Sequence, residues 1–338
     1  MLSENPFNLR WLANRFTALS LCLTIWTLFL AGCAHPPGNP SNQTALYLPP
    51  APASITAAHT PAFLLKESAK PFNKIGSPSA GTGNGTEPEI YVDPGKPAVY
   101  FEAQEFTTAK GLYTNLIYRI HFQEVPLGWT SLNLTAGRNP GILFIYTLDE
   151  AGTLLLVTTV HTCGCYLAFF PTKAMPRAAL PNTWSTEPQS VYGYTLPSSL
   201  QFTDEHADTR IAFTLESETH RISAVTVTDS LTRQAIAHQV PMHLKPMLDL
   251  YYLPYRDKTV AFFETEGAHK GYVKDNMKIF ERLLISWWAF DLHVGEDKAY
   301  SAHDKSDTVF YTSLKFWARK ASDLKNFPEF LNYWGWRL

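Results

Sequence analysis

The chain predicts an α+β fold, an antiparallel β-rich body of sandwich or irregular-barrel type with a C-terminal group of about three helices. Three observations predict it. Short β-prone runs broken at turn residues fill 98–266, the apolar period lengthens from two after Gly271, and Pro, Gly, Ser, Thr and Asn dominate 34–97. Strands and helices segregated along a chain in this way pack as α+β rather than as alternating parallel units.

Taken in order, residues 33–97 read as a flexible stalk. Pro36-Pro37, Pro49-Pro50 and Gly81-Thr82-Gly83-Asn84-Gly85 leave too little apolar surface to offset chain entropy. Within this segment Phe63-Leu64-Leu65 is a short apolar patch suited to docking on the body, and Gly76 to Thr82 imitates a phosphate loop without its lysine. The body, 98–266, opens with strands at Val99 to Phe106 and Leu116 to Phe122. Ile142 to Leu148 and Thr153 to Val160 flank Asp149-Glu150-Ala151-Gly152, a hairpin signal. Further strands are expected at Tyr166 to Phe170, Ile211 to Glu216, Ser223 to Thr228, Leu248 to Leu253 and Thr259 to Glu264, a spacing that suits a sandwich or barrel. Prolines at 171, 176, 181, 188 and 197 predict a long loop over one edge.

From 267 to 338 the pattern is helical. Val273, Met277, Phe280, Leu284 and Trp287 recur at spacings of four and three, which places them on one helix face. Phe310, Leu314, Trp317, Ala321 and Leu324 repeat the spacing behind Asp307 as N-cap, and a third short helix runs from Pro328 to Gly335. The same spacing makes core packing the expected fate of Trp287, Trp288, Phe327, Phe330, Tyr333, Trp334 and Trp336. The alternative is a ligand groove or a lipid interface, which amphipathic rings favour.

The N-terminus carries an address. Arg10 and Arg15 precede the uncharged run Phe16 to Gly32, and Leu30-Ala31-Gly32-Cys33 closes it. At about 1.5 Å per residue this run is short for a bilayer core of roughly 30 Å, so a cleaved signal fits better than a spanning helix. The tetrapeptide resembles the lipobox of bacterial lipoproteins, a resemblance that covers residues 1–33 and leaves the mature domain unassigned. It implies cleavage after residue 32, a diacylglyceryl group on Cys33, an acylated new amino terminus, and an oxidising compartment. Several acyl chains on one residue hold a protein on a membrane almost permanently. Ala34 stands where the family often has an inner-membrane retention aspartate, which points to the outer membrane, facing the periplasm.

Removing 32 of 338 residues leaves 306, enough for one large or two modest domains. The 28 basic residues less Arg10 and Arg15 become 26, and the 30 acidic residues less Glu4 become 29. That balance offers no basic face and argues against a nucleic-acid partner. Membrane lipid, through the acylated cysteine, and an envelope protein are the partners expected.

Cys22 leaves with the signal and Cys33 is consumed by lipid, so Cys163 and Cys165 are the thiols that remain, in His161-Thr162-Cys163-Gly164-Cys165. On an extended chain His161, Cys163 and Cys165 share a face. Four readings stand open. A Cys163–Cys165 disulfide suits the compartment but requires a turn at Gly164. Zinc or copper suits His161 and two thiolates with one more donor. His243, between Met242 and Met247 and after His238, is the candidate donor, although prolines at 241 and 246 make that stretch irregular. Inert buried thiols and redox catalysis complete the set. Asp291 to Asp307 gathers His293, His303 and acids without a metal motif and reads as a solvated connector. No Gly-x-Ser-x-Gly elbow, Cys-x-x-Cys or His-Glu-x-x-His pattern is present. The expected role is therefore binding or envelope assembly rather than catalysis, with metal handling or thiol redox at His161, Cys163 and Cys165 as the alternative.

Overall fold

Alternation along the central strands builds the molecule outward from its middle layer. In chain order the strands are β1 Ala45–Leu48, β2 Ala62–Leu65, β3 Ile75–Thr82, β4 Pro88–Asp93, β5 Ala98–Thr108, β6 Gly111–Phe122, β7 Gly141–Leu148, β8 Leu154–His161, β9 Ala168–Pro171, β10 Gln189–Val191, β11 Tyr194–Leu196, β12 Arg210–Leu215, β13 Ile222–Thr228, β14 Gln239–Pro241, β15 His243–Pro246, β16 Leu253–Tyr255 and β17 Lys258–Val260. Helices α1 Ile279–Ala289 and α2 Phe327–Tyr333 follow. This computed structural model describes residues 44–49, 59–83, 87–127, 133–202, 209–229, 232–233, 236 and 238–338, all within one unit, Asn42–Leu338. The signal segment and Cys33 lie outside the described residues, as does part of the expected stalk. Among the described residues no helix is long and apolar enough to cross a membrane.

The main sheet runs β15-β5-β6-β7-β8-β9, antiparallel except for the β15–β5 pair, and β3 joins the far end of β6 while pairing with β4. The turn between β7 and β8 closes as foreseen, with Gly152 N donating to the Asp149 carbonyl at 2.9 Å. On β7, Ile142, Phe144 and Tyr146 face one core while Leu143 and Ile145 face another. Period two thus buries both faces of the sheet.

A second sheet, β13-β12-β2-β1-β14, covers the first face. Phe63 of β2 and Phe213 of β12 meet Phe144 of β7 with ring centroids 5.0 and 4.7 Å apart. Each such ring contributes about 1.5–3 kcal/mol by leaving water. The C-terminal segment covers the second face, where Phe169 of β9 packs on Phe330 of α2 and on Trp336. The architecture is an α+β fold with a β-rich, mostly antiparallel body and two helices near the C-terminus.

Four expectations need correction. The stalk assigned to 33–97 holds β1 to β4, and Tyr47, Phe63, Leu65, Ile75, Ile90 and Val92 are core residues. A strand flanked on both sides, as β1 is by β14 and β2, satisfies its backbone from its neighbours. Two or three inward apolar residues then suffice, a quantity that average composition hides. The apolar patch at Phe63-Leu64-Leu65 is β2 itself, and the loop-like Gly76 to Thr82 is part of β3.

The first expected helix starts late, at Ile279, because Val273 is bridged to Phe263 and Asn276 and Lys278 turn into a buried polar cluster. The helix expected behind Asp307 does not form. Phe310, Tyr311 and Thr312 fold back on Ser322 to Leu324 through the Tyr311–Asp323 bridge, leaving one short turn at Phe316–Ala318. Four-and-three spacing was satisfied by this closure instead. Leu248 to Leu253 is likewise a short helical turn, Met247–Tyr251, and not a strand. The third helix is α2, with proline in its first turn and Gly335 beyond its end.

Candidate functional site

Beyond β8 the chain turns sharply at Gly164, whose N–H donates to the His161 carbonyl at 2.8 Å while His161 N donates to the Cys165 carbonyl at 2.9 Å. Gly164 adopts φ +93°, and a Cβ there would lie 2.1 Å from the Tyr311 carbonyl oxygen. No other residue fits both demands. The turn brings Cys163 and Cys165 to a Cα separation of 5.6 Å, and their sulfurs sit at bonding distance, 2.04 Å. The extended row of three ligand side chains therefore does not exist.

The bridged pair forms one wall of a cleft of about 250 Å³ that Leu134, Tyr166, Tyr192 and Ile285 also line. Glu281, in the first turn of α1, enters the same cleft and is 8% exposed. One of its carboxyl oxygens and both sulfurs lie within 4.8 Å of one another. Burial raises the Glu281 carboxyl above the ordinary range, with Lys278 acting in the opposite direction. Gly295 makes room for it, since a Cβ there would meet Glu281 Oε2 at 2.7 Å.

The other two expected ligands go elsewhere. His161 is buried, its Nε2 lies 3.2 Å from the His220 carbonyl, and its ring meets Tyr166 edge-on at 4.7 Å. His243 is exposed on β15, four strands from β8. Strand spacing puts these two strands about 19 Å apart. Met242 and Met247 sit in different cores. The metal set His161, Cys163, Cys165 and His243 is thus not assembled, because it assumed an extended strand end and a loop able to reach it.

A different set is assembled. His269 Nδ1 and His293 Nδ1 lie 2.9 and 3.3 Å from Glu296 Oε2, and one ligand atom from each residue falls within 4.8 Å of the others. The segment Asp291 to Asp307, expected as a solvated connector, carries two of these three. His269 stands 24 residues before His293, a spacing with no local meaning, so tertiary structure alone reveals the group.

Beneath the cleft lies a buried ionic centre. Asp297 Oδ1 accepts from Thr162 Oγ1 at 2.6 Å, Oδ2 accepts from Asn276 Nδ2 at 2.6 Å, and Lys278 Nζ approaches Oδ2 at 3.2 Å. Lys298 Nζ donates to the Cys163 carbonyl at 3.0 Å, and burial lowers its ammonium to about 8. Arg119, whose charge interrupts the apolar run of β6, donates to the Lys298 carbonyl at 3.0 Å. That interruption was the one signal in the sequence for this centre.

The aromatics divide. Phe327, Phe330 and Trp336 are core, as spacing predicts. On α1 the outward stripe is apolar: Leu283, Trp287 and Phe290 are 68%, 72% and 73% exposed. Phe290 meets Phe316 at 5.6 Å and Phe316 meets Trp317 at 4.9 Å, so the stripe continues onto the Phe316–Ala318 turn. Core packing is overturned for Trp287 and Trp288, which is 45% exposed.

Fold and site together define a class: a three-layer α+β protein with a disulfide-walled cleft and an exposed aromatic stripe. No protein-family model, no curated protein and no solved structure matches the chain.

Proposed function

We propose that this chain is a lipid-tethered extracytoplasmic protein of the outer membrane, facing the periplasm, whose aromatic stripe binds the bilayer interface. The exposed row Leu283, Trp287, Phe290, Phe316 and Trp317 carries the reading. Contiguous exposed apolar surface on a folded protein marks an interaction site, and tryptophan beside lysine suits headgroup depth. Lys315 and Lys320 flank Phe316 and Trp317 and are exposed. Eleven residues separate Cys33 from Ala45, so the twelve steps of the tether span at most about 43 Å and keep the body beside the membrane. Envelope assembly is the role this geometry suits, because the stripe and the anchor would together fix which faces remain open to a partner.

The test uses a form starting at Ala34, without the anchor, and vesicles of phosphatidylethanolamine and phosphatidylglycerol. Tryptophan emission is expected to shift to the blue on binding. Trp287→Ala, Phe290→Ala and Trp317→Ala should each weaken partitioning about tenfold, given roughly 1.4 kcal/mol for a partly buried ring. Added salt should weaken it further through the lysines. Self-association without vesicle binding would mean that the stripe is a protein interface instead.

A second reading concerns a metal, and the convergence of His269, His293 and Glu296 favours it. Donors about 2.0–2.1 Å from a tetrahedral ion stand about 3.3 Å from each other, close to the 2.9 and 3.3 Å separations here. Two imidazoles and a carboxylate suit zinc better than copper(I), which prefers sulfur. Equilibrium dialysis is expected to give one zinc per chain, and His293→Ala should lower the affinity about 10- to 100-fold or more. Zinc uptake unchanged in His293→Ala, or none at all, would sink this reading.

A further inference from the structure

We propose that the Cys163–Cys165 disulfide is an exchanging one, opened by the paired thiols of a protein or peptide substrate in the cleft, with Glu281 moving the proton at the sulfurs. Three observations converge on this activity, and none depends on the aromatic stripe or the tether.

The bridge closes a loop around a single residue, Gly164. Its effect on the entropy of the unfolded chain is correspondingly small, so stabilisation does not account for it. The bridge also faces the cleft of about 250 Å³ rather than a core, among rings and aliphatic side chains that would receive a side chain or a short peptide. Cys165 is the less buried partner, and Tyr192, 49% exposed, lines the same cleft. Finally, the Glu281 carboxyl shares the space with both sulfurs, and among the described residues it makes no hydrogen bond and no ion pair. The carboxyl is mostly buried with the charges of Lys278 and Lys298 acting on it, and Gly295 leaves space for it where any side chain would collide. Burial raises its carboxyl above the ordinary carboxylate range, which favours the protonated form that a proton donor beside the sulfurs needs.

The step balances as follows. A first substrate thiol loses its proton to solvent, and its thiolate attacks Cys165 Sγ. A substrate–Cys165 disulfide forms, the Cys163–Cys165 bond breaks, and the bonding pair leaves on Cys163 Sγ, which takes the Glu281 proton. The second substrate thiol gives its proton to the Glu281 carboxylate and attacks the first substrate sulfur. The substrate disulfide forms, and the Cys165 thiolate departs and is protonated by water. Two electrons and two protons pass from substrate to protein, and Glu281 ends as it began. A disulfide-bearing partner reverses the same steps and restores the bridge. This gives the thiol-redox alternative at Cys163 and Cys165 a reacting bond and a proton carrier, and leaves His161 out of the chemistry.

The experiment takes the full-length chain in detergent, oxidised, with an excess of a peptide carrying two cysteines, quenched by alkylation and followed by intact mass. The peptide is expected to lose two hydrogens as the chain gains two. A peptide with one cysteine replaced by serine should trap a mixed disulfide on Cys165, and Cys163→Ser with Cys165→Ser should abolish both products. Glu281→Gln, which keeps shape and volume, should slow exchange about 10- to 100-fold and flatten its pH dependence. The proposal is overturned if the folded wild-type chain exchanges no faster than a free oxidised Cys-Gly-Cys peptide. That comparison needs no variant to fold. It is equally overturned if folded Glu281→Gln keeps the wild-type rate and pH profile.

Discussion

Asp297→Ala is expected to cost about 3–5 kcal/mol of folding stability, the usual consequence of removing one partner of a buried ion pair. Asp297 is fully buried and accepts from Thr162, Asn276 and Lys278. Lys278 is 1% exposed, so without Asp297 its ammonium loses its ion-pair partner and finds little water. Lys298, also buried and already lowered to about 8 by desolvation, loses the largest charge that opposes that shift. The pair itself need not be stabilising. Lys278→Met combined with Asp297→Leu should recover most of the loss, because apolar replacement of a whole buried pair is often neutral or better. Urea unfolding of the single and double variants measures both quantities. A cost below about 1 kcal/mol for Asp297→Ala would mean that water reaches the cluster.

Acid should unfold this protein early. His121, His161 and His220 are buried, and burial, the leading cause for each, holds the folded-state value below the ordinary 6.5. For His220 it falls to about 3, although hydrogen bonding to the Phe72 carbonyl opposes the shift. The unfolded chain therefore binds protons that the folded chain refuses. Stability from these residues is complete above about pH 6.5 and declines as pH falls, by up to about 1.4 kcal/mol per pH unit for each histidine. For His220 the decline continues to about 3. Urea midpoints followed between about pH 7 and pH 5 should drop steeply. His220→Phe, which keeps the 3.8 Å stack on Phe122, should remove about one histidine's share of that slope. A flat profile would contradict neutral burial.

Much of this molecule was legible from its residues because the relevant signals are local. Ile142 to Leu148 and Thr153 to Val160 are β-prone runs around a four-residue turn signal and form the β7–β8 hairpin. Pro328 and Gly335 bracket α2. The bridge of Cys163 to Cys165 needed only the turn that Gly164 permits. The errors share one cause. Composition made 33–97 look unable to pack, yet β2 and β3 find their hydrogen bonds on strands more than 40 residues away in the chain, β12 and β6 among them. Helical spacing over 307–324 was equally met by a chain folding back on itself.

By itself, then, the sequence determined the α+β class, the central hairpin, the lipobox-like N-terminus and the possibility of a bridge at Gly164. Each depends on neighbours within a turn or a strand, where periodicity and steric preference act directly. Tertiary structure decided the rest. It set Glu281 beside the sulfurs, gathered His269, His293 and Glu296, buried Lys278 against Asp297, and left Trp287 and Phe290 facing outward. These outcomes depend on which distant surfaces exclude water from which side chains, and no spacing along the chain encodes that.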